Sequence, residues 1–112
     1  MATEEIIRLE TQEFDKFIRG TDLPVLVELI DPQIAQCKAV DFIMEKMNKE
    51  FQGKVKICRI NVYMQTELLN RYKVHTIPSV LIFAKWNLVR VIEGLKSQSD
   101  YMQAAVEACK IS

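Results

Sequence analysis

The chain has 112 residues, 49% hydrophobic and 27% charged, which fits one compact domain (1–112) with a sizeable core and leaves no room for two. Its 15 basic and 15 acidic side chains cancel to a net charge of zero, so the basic excess of a nucleic-acid binder is missing. Three cysteines, Cys37, Cys58 and Cys109, are too widely spaced for a disulfide framework, and with His75 the single histidine, a four-ligand zinc site is not expected.

The chain opens on Met1-Ala2-Thr3-Glu4-Glu5, an acidic start without the basic and then apolar pattern of a secretory leader. No apolar run approaches the roughly 18 residues of a membrane helix, so the expected compartment is the cytoplasm, where thiols stay reduced. Glu5 to Leu9 reads as a short strand. Thr11 is placed to cap a helix through Gly20, with Phe14, Phe17 and Ile18 at helical spacing. Pro24 to Ile30 is a nearly continuous apolar run, the mark of a strand covered on both faces. Within it Val25, Val27 and Leu29 share one face, and Leu26, Glu28 and Ile30 the other. Asp31-Pro32-Gln33 breaks the run. Ala35 to Phe51 is amphipathic, with Val40, Ile43, Met44, Met47 and Phe51 on one stripe.

After Gly53, Val55 to Val62 reads as a strand and Gln65 to Tyr72 as a short helix. Ser79 to Phe83 is a further apolar strand, and Lys85-Trp86-Asn87 turns the chain into Leu88 to Ile92. Ser97, with Asp100 three residues on, caps a last helix that carries Tyr101 and Ala105. The order β-α-β-α-β-α-β-β-α predicts an α/β domain: parallel pairing across the strand–helix–strand units, one late hairpin, and a mixed sheet with helices on both faces.

Several segments in this order resemble one family. Pro24 to Lys38 is similar to the strand, active-site loop and helix start of thioredoxins, whose usual form is an apolar strand followed by Trp-Cys-Gly-Pro-Cys-Lys. Thr76-Ile77-Pro78-Ser79 resembles the loop that carries that family's cis-proline. Lys54 to Val62 and Val91-Ile92-Glu93-Gly94 match in kind and spacing. The resemblance covers essentially the whole chain and implies a thioredoxin-like fold, a central mixed sheet of about five strands flanked by four helices, with no cofactor.

The departures fall on the chemistry. Gln33 stands at the tryptophan, Ile34 at the attacking cysteine, and Ala35-Gln36 at Gly-Pro, while Cys37 keeps the resolving position. Disulfide reduction needs one thiolate to attack and a second thiol to release the mixed disulfide. Isoleucine has no lone pair to attack with, so dithiol reductase activity is not expected. Cys37 alone, in the first turn of a helix, offers a monothiol alternative: a mixed disulfide with a small thiol, or oxidation by peroxide. A thioredoxin that lends Cys37 to a partner carrying the missing thiol is a third possibility. A Cys37–His75 pair is the one conceivable nucleophile–base constellation, and a surface residue on a polar loop is the plainer reading of His75. Glu28 falls at the family's buried aspartate and Arg59 at a nearby lysine. An ion pair with Arg59 is the plainer role for Glu28, and proton transfer at Cys37 the sharper one.

The resemblance brings Gln33, Ile34, His75, Thr76, Ile77, Pro78 and Gly94 to one end of the sheet, where thioredoxins grip extended peptides. Here that surface is more apolar and lacks a reactive sulfur. The expectation is a redox-inactive or redox-impaired module that binds a protein or peptide partner, as a monomer or weak dimer, without nucleic acid or membrane. Trp86 is a second anchor candidate, because interaction hot spots favour tryptophan, or else a turn residue folded back on the sheet.

Overall fold

Every position of the strand β2 (Val25–Ile30) is buried, because an unbroken apolar run has no polar side to show to water. The computed structural model describes residues 5–111; Met1 to Glu4, most of the acidic start read against export, lie outside the described residues. In chain order the remaining elements are β1 (Ile7–Leu9), α1 (Phe14–Arg19), α2 (Gln36–Glu50), β3 (Lys56–Asn61), α3 (Glu67–Tyr72), β4 (Ser79–Ala84), β5 (Asn87–Glu93) and α4 (Gln98–Lys110). The strands form one sheet in the order β1-β3-β2-β4-β5. Among the described residues, no helix is long and apolar enough to cross a membrane.

β1, β3 and β2 pair in parallel, while β4 runs antiparallel to β2 and β5 antiparallel to β4. This corrects the expectation that every strand–helix–strand unit is parallel. The β3-α3-β4 unit is not, because its short helix returns the chain to the sheet end that it left.

The alternation read along β2 divides the core. Leu26 faces Val40, Met44 and Met47 of α2 and Tyr101, Ala105 and Ala108 of α4. Val25, Val27 and Leu29 face Phe14 and Ile18 of α1 and Leu68 of α3. On that second side Phe14, Tyr72 and Phe83 meet edge to face, with centroids 5.5–6.1 Å apart, the arrangement ring quadrupoles favour. Ser97 caps α4 in a reciprocal box: its Oγ accepts from Asp100 N–H at 3.3 Å, and Asp100 Oδ2 accepts from Ser97 N–H at 3.3 Å.

One local expectation is corrected. The first helix begins as a 3-10 turn over Thr11–Glu13, and the cap is Glu10, whose N–H donates to Glu13 Oε1 at 2.8 Å. Thr11 instead donates its hydroxyl to Gln65 Oε1 at 2.9 Å, so a tertiary partner takes the side chain from the helix end. Trp86 lies at the far end of the sheet from the predicted site, since Phe83 pairs with Val25 and Ser79 with Leu29. It is 54% exposed, but its indole N–H donates to Thr21 C=O at 3.0 Å, which seats the ring against the α1–β2 connection.

Lys73 ends α3 in the left-handed conformation, φ 55° and ψ 45°, which a Cβ disfavours. We predict that Lys73→Gly raises stability by about 0.5–1 kcal/mol. The check is a higher urea midpoint at unchanged slope.

Candidate functional site

Strand register gathers the site. Leu29 pairs with Ser79, Ser79 with Glu93, and Ile30 with Asn61. The loop after β2, the segment before β4 and Gly94 after β5 therefore leave the sheet at one end. Gln33, Ile34, His75, Thr76, Ile77, Pro78 and Gly94 all lie on these connections.

The β2–α2 loop is a short, self-bonded turn. Asp31 Oδ1 accepts from Gln33 N–H at 2.9 Å, and Asp31 C=O accepts from Ile34 N–H at 2.9 Å. An aspartate before proline is suited to this turn, because its carboxylate substitutes for a backbone acceptor. Gln33 is exposed and Ile34 half-buried. Cys37 N–H donates to Ile34 C=O at 3.1 Å, so the isoleucine occupies the mouth of α2.

Cys37 is 2% exposed. Burial pushes its thiol above the ordinary range; the Asp31 backbone N–H works against this, and the charges of Asp41, Glu28 and Asp31 add to it. Both the accessibility and the anionic form that nucleophilic attack needs are thus suppressed. Cys58 is fully buried, and burial, then Glu28, drives its thiol higher still. Cys37, Cys58 and Cys109 are all free. His75 is exposed, and among the described residues no hydrogen bond joins its ring to Cys37.

The second connection is held by a residue that the sequence reading did not single out. Glu93 Oε1 accepts from His75 N–H at 2.6 Å and from Thr76 N–H at 3.1 Å. A carboxylate that takes two backbone donors is a strong, orienting contact. Ser79 Oγ donates to Thr76 C=O from the other side. The Ile77–Pro78 peptide is cis. Pro78 itself is buried: its ring packs inward where β4 begins, and half-buried Ile77 and exposed Thr76 form the surface beside it. The Ile77 N–H and C=O have no hydrogen-bond partner among the described residues. Gly94 needs its glycine for a φ of 81°, not for space, since an added Cβ would lie 3.7 Å from Thr76 Cγ2.

Glu28 lies beneath this surface, 0% exposed. Its Oε1 accepts from Arg59 Nε at 2.6 Å. Asp41 Oδ1 is 3.3 Å from the same Nε, and Glu45 Oε1 is 3.5 Å from Arg59 Nη1. Burial above all, then the neighbouring Asp41 carboxyl, pushes Glu28 up to about 9, against the pull of Arg59. Asp41 was missed in the sequence. The available signal was a polar residue one helical turn after Cys37, between the core positions Val40 and Met44. Glu93 had a weaker one, a lone carboxylate at a strand end before glycine.

A family model described as Thioredoxin matches residues 5–108. A thioredoxin of Rickettsia conorii is 33% identical over 89 residues, 80% of this chain and 85% of its own length. A thioredoxin of Pseudomonas aeruginosa is 26% identical over 98 residues, covering 88% of this chain and 91% of the relative. Thioredoxin M4 of Arabidopsis thaliana, a chloroplastic protein, is 33% identical over 82 residues, 73% of this chain but 42% of its own length. The chain thus spans about half the length of the chloroplastic M-type relatives it matches, 42–49% in the rice, Arabidopsis and maize proteins. The structure of a mutant thioredoxin from Halobacterium salinarum superposes with a TM-score of 0.85 over 100% of this chain and 97% of that one, at 18% sequence identity.

Proposed function

The chain belongs to the thioredoxin family, and from that premise we propose a member released from disulfide exchange that binds a protein or peptide partner. The contact surface is the sheet end with Gln33, Ile34, His75, Thr76, Ile77 and Gly94. One observation carries the reading: residue 34 is isoleucine, and the one thiol beside it, Cys37, is 2% exposed. Support also comes from the open backbone donor and acceptor of Ile77, which an extended segment can pair with as a strand pairs with a sheet edge. The domain acts in the cytoplasm, as a monomer or weak dimer.

Two measurements test this. In a dithiol-driven insulin reduction assay the protein should give no turnover above the uncatalysed rate. At pH 6 Cys37 should be alkylated more slowly than a free thiol, by about tenfold or more. Rapid labelling at that pH would instead favour the monothiol reading, and turnover would end the redox-inactive one. A pull-down from native cytoplasm should lose its specific partner with Ile34→Asp, whose charge disrupts the apolar mouth.

A further inference from the structure

Four positions on the outer side of α2, Lys38, Phe42, Lys46 and Lys49, are all exposed. They recur at steps of four, four and three residues, so at 3.6 residues per turn they fill one stripe about 80° wide. Phe42 lies at its centre, 63% exposed, with the Lys46 ammonium 4.6 Å from the centre of its ring. The acids of the helix account for the charge of this stripe. Asp41 lies 3.3 Å and Glu45 3.5 Å from the Arg59 guanidinium, so both carboxylates are drawn toward the sheet. Among the described residues no ion pair reaches Lys38, Lys46 or Lys49. Lys46 and Lys49 are moreover one turn apart, and like charges at that spacing disfavour a helix. A chain of net charge zero thus sets three unpaired cations around an exposed ring.

We propose that the outer face of α2 docks an acidic helix of a partner protein, with carboxylates against Lys38, Lys46 and Lys49 and an apolar residue seated on Phe42. Charge complementarity selects the acids, and the ring selects an occupant that carries an apolar side chain beside them. From Lys38 to Lys49 the stripe runs about 16 Å, three helical turns, which a helix with acids at the same spacing matches. Glu45 and Glu50 border the stripe on either side and are exposed. A phosphate backbone or an anionic bilayer would meet these two acids as repulsive neighbours, and three lysines are few for a polyphosphate. A polypeptide with its acids along one face avoids both. The stripe uses none of the residues at the sheet end, so the inference stands whether or not those bind a segment.

The test uses a labelled helical peptide of about 18 residues with Glu at i, i+4 and i+8 and Leu beside them, and a twin with Lys in place of each Glu. Binding is read by fluorescence anisotropy and by the amide shifts of the protein. The acidic peptide should bind and shift the amides of Lys38 to Glu50, and the basic twin should not. In Lys46→Glu combined with Lys49→Glu the preference should reverse: the acidic peptide weakens by about tenfold or more, and the basic twin now binds. Phe42→Ala should weaken the acidic peptide by about threefold or more. All these substitutions fall at exposed positions, and Lys38→Glu gives an independent reading at the other end of the stripe. Equal binding of the two peptides, no binding of the acidic one, shifts that map to another surface, or a preference that does not reverse would overturn the proposal. Tighter binding of a short DNA duplex, or of vesicles containing phosphatidylserine, than of the acidic peptide would overturn the assignment to a protein.

Discussion

Arg59→Met is expected to lower the free energy of unfolding by about 3–5 kcal/mol at pH 7, the largest stability loss that a single substitution in this buried cluster should produce. Arg59 is 6% exposed and supplies the one cation within ion-pair distance of Glu28, Asp41 and Glu45 among the described residues. Methionine matches much of its stem but offers no N–H, so Glu28 Oε1 loses its 2.6 Å donor. A buried acceptor then has neither water nor protein to bond. The cost arises from leaving buried acceptors without a donor and not from any large net worth of the intact cluster, because desolvated polar groups give back most of their attraction in lost hydration. A double variant separates these. Glu28→Leu combined with Arg59→Met removes the buried donor and its acceptor together and should recover most of the loss, since apolar replacements of a buried pair are often neutral. Chemical denaturation of the two variants reads the difference. A single-variant loss under about 1 kcal/mol would mean that the guanidinium behaves as a surface group despite its burial.

Ile34→Cys is expected to have the largest effect on activity, from no turnover to measurable insulin reduction. The backbone is already set for the pair: Cys37 N–H bonds to the C=O of residue 34 at 3.1 Å, and a residue three before Cys37 at a helix mouth comes within the separation a disulfide spans, about 4.4–6.8 Å between Cα atoms. The introduced sulfur sits where Ile34 is half-buried and reachable, so it supplies the attacking thiolate, and Cys37 then releases the mixed disulfide. Mild oxidation of the variant should remove two titratable thiols, while the wild type keeps all three of its free cysteines. Activity should stay below that of a full dithiol relative, because Cys37 remains buried with its thiol raised. If the oxidised variant retains every thiol, the loop does not hold residues 34 and 37 in bridging geometry.

The order of the elements was legible from the residues because each signal is local. The apolar run over Val25–Ile30, the amphipathic stripe Val40-Met44-Met47 and the Ser97–Asp100 box depend on neighbours in sequence and on strand or helix period. They needed no knowledge of distant parts. Element ends were less legible, as at Thr11, where a hydroxyl expected to cap its own helix bonds to Gln65, 54 residues away.

At the site the division is similar. That residue 34 cannot attack a disulfide is a property of its side chain and holds in any fold, so composition at one position decided it. The sequence also marked Glu28 as a costly carboxylate on a core strand. It did not reveal that Asp41 lies beside it, that Glu93 ties down His75 and Thr76, that Pro78 points inward or that Trp86 lies at the far end of the sheet. Each of these depends on strand register and helix placement, which bring together groups well separated along the chain, such as Arg59 with Asp41 and Glu93 with His75. Local periodicity specifies which face a side chain takes, while the packing of faces selects its neighbours, and for buried acids burial first and the neighbours second set the proton affinity.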